Sequence, residues 1–135
     1  MELYSYNHLP MIDHALVHVN DIEKSTVFYL SALAPLGYVQ TNAFPEWKVV
    51  GMGVEGKSDL WLVGDGGDKP GHVAFVAHDR EQVQAFFDAA RAAGGTDNGA
   101  PGYRKEYSPG YYAAFVRDPD GHNVEVVFHD PDPII

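Results

Sequence analysis

Two stretches of this chain repeat one another. His14 opens a β-branched run, and His72 opens another 58 residues later; at the same offset Asp21 meets Asp79, Phe28 meets Phe86, Ala32 meets Ala90 and Gly37 meets Gly95. These five matches fall on a strand, a helix cap, a helix body and a helix stop. They mark two copies of one supersecondary unit. A repeat unit of about 60 residues is too small to close a core of its own, so the two copies are expected to share one.

The local signals give each copy a β-α-β-β-β order. Residues 12–19 read as a strand, Asn20 or Asp21 as an N-cap, and Ile22, Thr26, Phe28, Tyr29, Leu30 and Leu33 as an apolar helix face stopped by Pro35 and Gly37. Strand-like runs follow near 38–41, 46–54 and 59–63. The Gly- and Asp-rich stretch 64–71 is a connector, too short for a flexible tether. Beyond it come a strand from His72, a cap at Asp79, a helix over 80–93 ending at Gly94-Gly95, a loop to about 102, and strands at 111–117 and 123–129. Asp118-Pro119-Asp120-Gly121 joins the last two as a turn. The expectation is one domain over 1–135, with modules at about 11–63 and 71–129 and a lead-in at 1–10.

Composition narrows the partners. Nine Lys and Arg stand against 19 Asp and Glu, a net charge of −10. That balance opposes nucleic acid and anionic membranes, both of which need a basic face. No apolar run is long enough to span a bilayer and the start lacks a secretory signal, so a cytoplasmic protein is expected. Without cysteine there is no disulfide, thiolate metal site or cysteine nucleophile. Gly64–Gly67 lacks the Gly-Lys-Ser/Thr of a phosphate loop, and no Gly-x-Ser-x-Gly elbow is present.

The repeat gives the histidines their interest. If the modules pair about a pseudo-twofold axis, His14 and His72 hold equivalent places and could converge. Glu125 lies in Asn123-Val124-Glu125-Val126-Val127, where a buried carboxylate needs a partner, a proton or a cation. Two imidazoles and a carboxylate suit a divalent ion such as Fe, Mn, Zn, Ni or Co, and three protein ligands leave positions open for substrate. The matching strand of the first module, Asp59-Leu60-Trp61-Leu62-Val63, offers no ligand at the position of Glu125.

The run Ile12-Asp13-His14 to Phe28-Tyr29, with Gly71-His72-Val73-Ala74-Phe75 and Phe115-Val116-Arg117-Asp118-Pro119-Asp120-Gly121 to Glu125, resembles the vicinal oxygen chelate superfamily. That superfamily includes glyoxalase I, bleomycin-resistance proteins and extradiol dioxygenases. The resemblance covers roughly residues 11–129. It implies an α+β fold whose two βαβββ modules form a cupped eight-stranded mixed sheet with helices outside. It also implies metal ligands at His14, His72 and Glu125, and a homodimer. Where glyoxalase I members place a further glutamate, this chain has Trp61.

Beyond the metal set, strand alternation puts His18 on the face of His14, as a candidate acid or base. The resemblance points Tyr111 and Phe115 inward and Tyr112 the other way; Tyr111 is a candidate for a substrate oxygen. Trp61, with Trp47 and Phe44, offers aromatic walls. Arg104 and Lys105 are the nearest cations for an anionic substrate, and Glu106 is a further base candidate. His78, His122 and His129 read as polar surface residues. The leading expectation is a metal-dependent lyase or isomerase that stabilises an enolate or oxyanion of a small oxygenated substrate. An iron-dependent ring-opening dioxygenase and a non-catalytic binder of an aromatic small molecule are the alternatives.

Overall fold

A computed structural model describes residues 11–67 and 69–134. The lead-in at 1–10 lies outside them. The first module runs β1 (Ala15–His18), α1 (Ile22–Leu33), β2 (Val39–Phe44), β3 (Val49–Gly53) and β4 (Leu60–Val63). The second runs β5 (His72–Val76), α2 (Arg80–Ala92), β6 (Thr96–Asp97), β7 (Gly102–Tyr103), β8 (Tyr111–Arg117) and β9 (Asn123–His129). Each module closes the same way: its first strand pairs parallel with its last, β1 with β4 and β5 with β9, and the other pairings are antiparallel. The loop expected after α2 carries two short strands, β6 and β7, which both pair with β8.

The expected α+β fold of two βαβββ modules is present, and its strands form two sheets, ordered β1-β4-β3-β2 and β5-β9-β8-β6. The first strands of the two modules, β1 and β5, meet without a shared backbone ladder. A side chain joins them. His122 Nε2 donates to the His18 carbonyl (2.7 Å), and Nδ1 accepts from the Gly71 amide (2.8 Å). His122 is only 8% exposed, so it is no surface residue but a tie between modules.

The helices start where the acidic caps place them. Asp21 accepts from the Lys24 amide and Asp79 from the Gln82 amide. Val17, Val19, Phe28, Tyr29, Leu60 and Leu62 of the first module bury into one cluster with Val83, Phe86, Val116, Val124 and Val126 of the second. This shared core is what two half-domains require. Gly95 shows how tight the junction is. A Cβ there would fall 2.3 Å from Val116 and 2.9 Å from the Phe28 ring, so only glycine fits between the modules.

The Asp118–Gly121 turn does more than reverse the chain. Buried Asp118 accepts from the Tyr29 hydroxyl (2.6 Å) and from the amides of Asp120 and His122 (2.8 Å each). Asp120 accepts in turn from the Asn20 amide and, more weakly, from the Ser25 hydroxyl. The turn of module two therefore caps the start of the helix of module one. Burial and the neighbouring Asp118 carboxylate push the Tyr29 phenol well above its ordinary range, keeping it a donor.

Candidate metal centre

Alternation along β5 sends Val73 and Phe75 to the core and leaves His72, Ala74 and Val76 on the open face. On β9, Val124 and Val126 enter the core and Glu125 takes the other face, one register step from His72. The two side chains meet there, with His72 Nε2 3.0 Å from Glu125 Oε1. Glu125 is 3% exposed, whereas half of the His72 side chain is open.

Both groups are held from behind. The Asn123 carbonyl lies 2.9 Å from His72 Nδ1 and must receive its proton, which leaves Nε2 of the neutral ring with a lone pair. Tyr111 donates to Glu125 Oε2 (2.5 Å), leaving Oε1 turned to His72. Burial, followed by this carboxylate, pushes the Tyr111 phenol up to about 12, so it stays protonated. An imidazole lone pair facing a carboxylate at 3.0 Å needs a positive charge between or beside the two atoms. Two ligands of one ion at about 2.1 Å and a right angle are themselves about 3 Å apart. A ring nitrogen donating to a carbonyl while the other faces outward is also the usual state of a metal-binding histidine. The pair fits a divalent cation.

His14 carries the same signature, its Nδ1 2.8 Å from Asp13, whose carboxyl is held below the ordinary range chiefly by that bond. It does not join the pair. Among the described residues no group of three or more His, Asp or Glu side chains is close enough to hold a metal ion. The reason lies in the pseudo-symmetry. β1 ends beside the start of β5, through His122, while His14 shares a cavity of about 470 Å³ with Val76 and His78 at the far end of β5. A twofold between antiparallel neighbours maps start onto start, and the two starts lie at opposite ends. Four strand steps of about 3.3 Å put residues 72 and 76 some 13 Å apart.

The other candidates divide by face as alternation requires. Tyr111 touches Glu125 rather than open space. Phe115, the cross-strand partner of Glu125, stacks on His72 with ring centroids 6.4 Å apart. Tyr112 turns to the core, where its hydroxyl accepts from Gln84. Arg104 lies 5.3 Å over Phe115, its guanidinium donating to the carbonyls of Gly102 and Ala100. It borders the pair but spends two donors on its own loop. Lys105 and Glu106 are exposed in that loop. Trp61 stacks with Phe44 (6.3 Å), which touches Trp47 (5.5 Å). A Cβ at Gly51 would come 2.7 Å from the Trp61 indole, so glycine lets that ring lie flat on the sheet. His18 bonds Asp65 (2.9 Å), a partner that sequence reasoning missed because Asp65 sits in a connector with no periodicity.

Paired βαβββ modules with a histidine–glutamate pair on an open sheet face define a class of α+β protein. The chain belongs to the Glyoxalase/Bleomycin resistance protein/Dioxygenase superfamily, whose family model matches residues 11–126. It is 30% identical over 126 residues to a probable lactoylglutathione lyase of Vibrio cholerae, covering 84% of this chain and 87% of that protein. It is 31% identical to the lactoylglutathione lyase of Haemophilus influenzae, covering 84% and 89%. Among solved structures it is similar to a glyoxalase/bleomycin resistance protein from Albidiferax ferrireducens, with a TM-score of 0.75 at 28% identity, over 88% of this chain and 98% of the other. No helix among the described residues is long and apolar enough to cross a membrane.

Proposed function

We propose that this protein is a metal-dependent lyase or isomerase of the glyoxalase type, acting on a small oxygenated substrate as a homodimer. His72 and Glu125 of one copy and His14 of a second copy are its metal ligands. The observation that carries the reading is the 3.0 Å approach of His72 Nε2 to Glu125 Oε1, with each group fixed from behind by Asn123 and Tyr111. The second copy follows from the position of His14, ready as a ligand but beyond reach of the pair in its own chain. The apolar side chains left bare on the same strands support it: Leu16 on β1 is 51% exposed and Val76 on β5 is 68% exposed.

A divalent ion held there would supply Lewis acidity to a substrate carbonyl, worth several kcal/mol of barrier. The residues of the chain do the rest. Tyr111 keeps Glu125 oriented, Phe115 fixes the plane of the His72 ring, and Arg104 sets a positive charge at the border of the site. The lactoylglutathione lyases among the relatives suggest a first assay, with methylglyoxal and glutathione, the two halves of lactoylglutathione. The metal-loaded protein is expected to bind about one divalent ion per chain and to form the thioester, and Glu125→Gln to lose both. Failure of the purified protein to take up any divalent ion overturns the reading.

A ring-opening dioxygenase is the second reading. Two imidazoles with one carboxylate is the iron donor set, and the Phe44, Trp47 and Trp61 rings offer flat walls for an aromatic substrate. Oxygen uptake by iron-loaded protein over a catechol panel separates it from the first.

A further inference from the structure

We infer that His18 and Asp65 form a proton-transfer dyad beside the metal pair, with His18 Nε2 as the base that moves the substrate proton and Asp65 as its positioning residue. The inference rests on the lyase reading above and supplies the base that reading lacks.

The geometry is that of an oriented histidine. Asp65 Oδ2 lies 2.9 Å from His18 Nδ1 and Asp65 Oδ1 accepts from the Gly67 amide at 3.0 Å, so both carboxylate oxygens are engaged. The Gly67 amide first, and His18 after it, hold the Asp65 carboxyl below the ordinary range. An ionised carboxylate only accepts, so the proton of the neutral ring sits on Nδ1. Nε2 keeps its lone pair and has no partner among the described residues. A base held by a carboxylate in this way is set for proton abstraction, and the imidazolium it becomes has its counter-charge already in place.

The dyad also has the right address. Val17 and Val19 turn into the core, which leaves His18 on the open face of β1, as His72 is on the open face of β5. The backbones of the two strands are joined there by one imidazole, since His122 binds the His18 carbonyl and the Gly71 amide next to His72. Among the described residues no other histidine outside the metal set has both a carboxylate on Nδ1 and a direct tie to that strand. His129 packs edge-on against Tyr111, and His78 donates its amide to Gln82.

The step balances without a co-reactant. His18 Nε2 takes the proton from the substrate carbon that bears the hydroxyl. The C–H pair becomes the carbon–carbon bond of an enediolate as the carbonyl pair moves onto its oxygen. Returning the proton to the neighbouring carbon, while the hydroxyl proton passes to that oxygen, leaves a new carbonyl and a neutral dyad.

The test pairs a protein measurement with kinetics on metal-loaded enzyme, using methylglyoxal and glutathione. Long-range nitrogen–proton NMR should find His18 protonated at Nδ1 in the wild type and shifted toward Nε2 in Asp65→Asn. His18→Gln should lower kcat about 100-fold and Asp65→Asn about 10-fold, with KM and metal content unchanged and partial recovery in Asp65→Glu. A His18 ring protonated at Nε2 in the wild type overturns the dyad whether or not the protein turns anything over. Full kcat in either variant overturns the proton transfer alone and leaves the lyase reading standing. Loss of metal in His18→Gln would make His18 a ligand and overturn its role as base. A wild type that binds metal but converts nothing sinks the assignment together with the lyase reading.

Discussion

β1 and β5 are the same strand used twice, and they have diverged where it counts. Each is led by a histidine whose Nδ1 is held, His14 just before β1 by Asp13 and His72 at the start of β5 by the Asn123 carbonyl. Each pairs parallel with the closing strand of its module. On β9 that closing strand presents Glu125 to His72; on β4 the open face carries Trp61, lying over Gly51 and stacked on Phe44. One module thus sets a buried carboxylate beside its histidine, and the other carries an aromatic wall at the same place.

The largest test of that asymmetry is to exchange donors between copies. His14→Ala and Glu125→Gln should each abolish metal binding and turnover alone. If the site is completed across a twofold, mixing the two variants places an intact set of donors in one of the two sites of every heterodimer. Random reassortment then restores about a quarter of the wild-type activity. Failure to recover any activity after exchange, with heterodimers verified by mass spectrometry, would return His14 to its own chain. The next test concerns the support behind Glu125. Tyr111→Phe removes the 2.5 Å donor and should weaken divalent metal binding about 10- to 100-fold by calorimetry, the size expected when a ligand loses its orienting partner. Trp61→Phe, at the place that Glu125 holds in module two, should leave metal affinity unchanged.

The turns of the two modules differ in the same sense. The Asp118–Gly121 turn packs on the start of the first helix, and its buried Asp118 takes three hydrogen bonds. The turn at Glu55-Gly56 between β3 and β4 is exposed and is closed by one backbone bond, from Lys57 to Val54. Asp118→Ala should therefore cost about 3 kcal/mol in denaturant unfolding, because it strands buried donors including the Tyr29 hydroxyl. Glu55→Ala should stay within about 0.5 kcal/mol. Similar losses at the two turns would mean that the modules are held together elsewhere.

How much of this was legible beforehand follows from what a strand or helix records in its own sequence. The caps at Asp21 and Asp79, the helix limits and the parity of Tyr111, Tyr112 and Phe115 are local properties, written in spacing. Glu125 was visible because a lone carboxylate among valines is costly. What could not be read is which edges meet. The repeat correctly paired His14 with His72 but not their directions, and antiparallel neighbours carry equivalent residues apart. His122 and Asp65 lay in turns, where no periodicity separates a buried tie from a solvated side chain. Trp61 was legible as an aromatic, but its contact with Gly51 and Phe44 depends on the register of three strands.

The caps give the smallest and cleanest comparison. Asp79 accepts from the Gln82 amide at 2.8 Å, and Gln82 in turn accepts from the His78 amide and donates to the Pro35 carbonyl, which closes the first helix of the other module. Asp21 accepts from the Lys24 amide at a longer 3.1 Å, and no side chain of its own helix reaches back. Replacing a capping aspartate by alanine typically costs about 1 kcal/mol. Asp79→Ala is expected at or above that value, since its loss also frees the Gln82 bridge between modules, and Asp21→Ala below it, since Asp118 and Asp120 hold that end of the helix independently. The double-mutant cycle of Asp79→Ala with Gln82→Ala should show coupling of about 0.5 kcal/mol or more. Additive losses there, or a larger loss at Asp21, would show that the two helix starts are held by the same means despite their different neighbours.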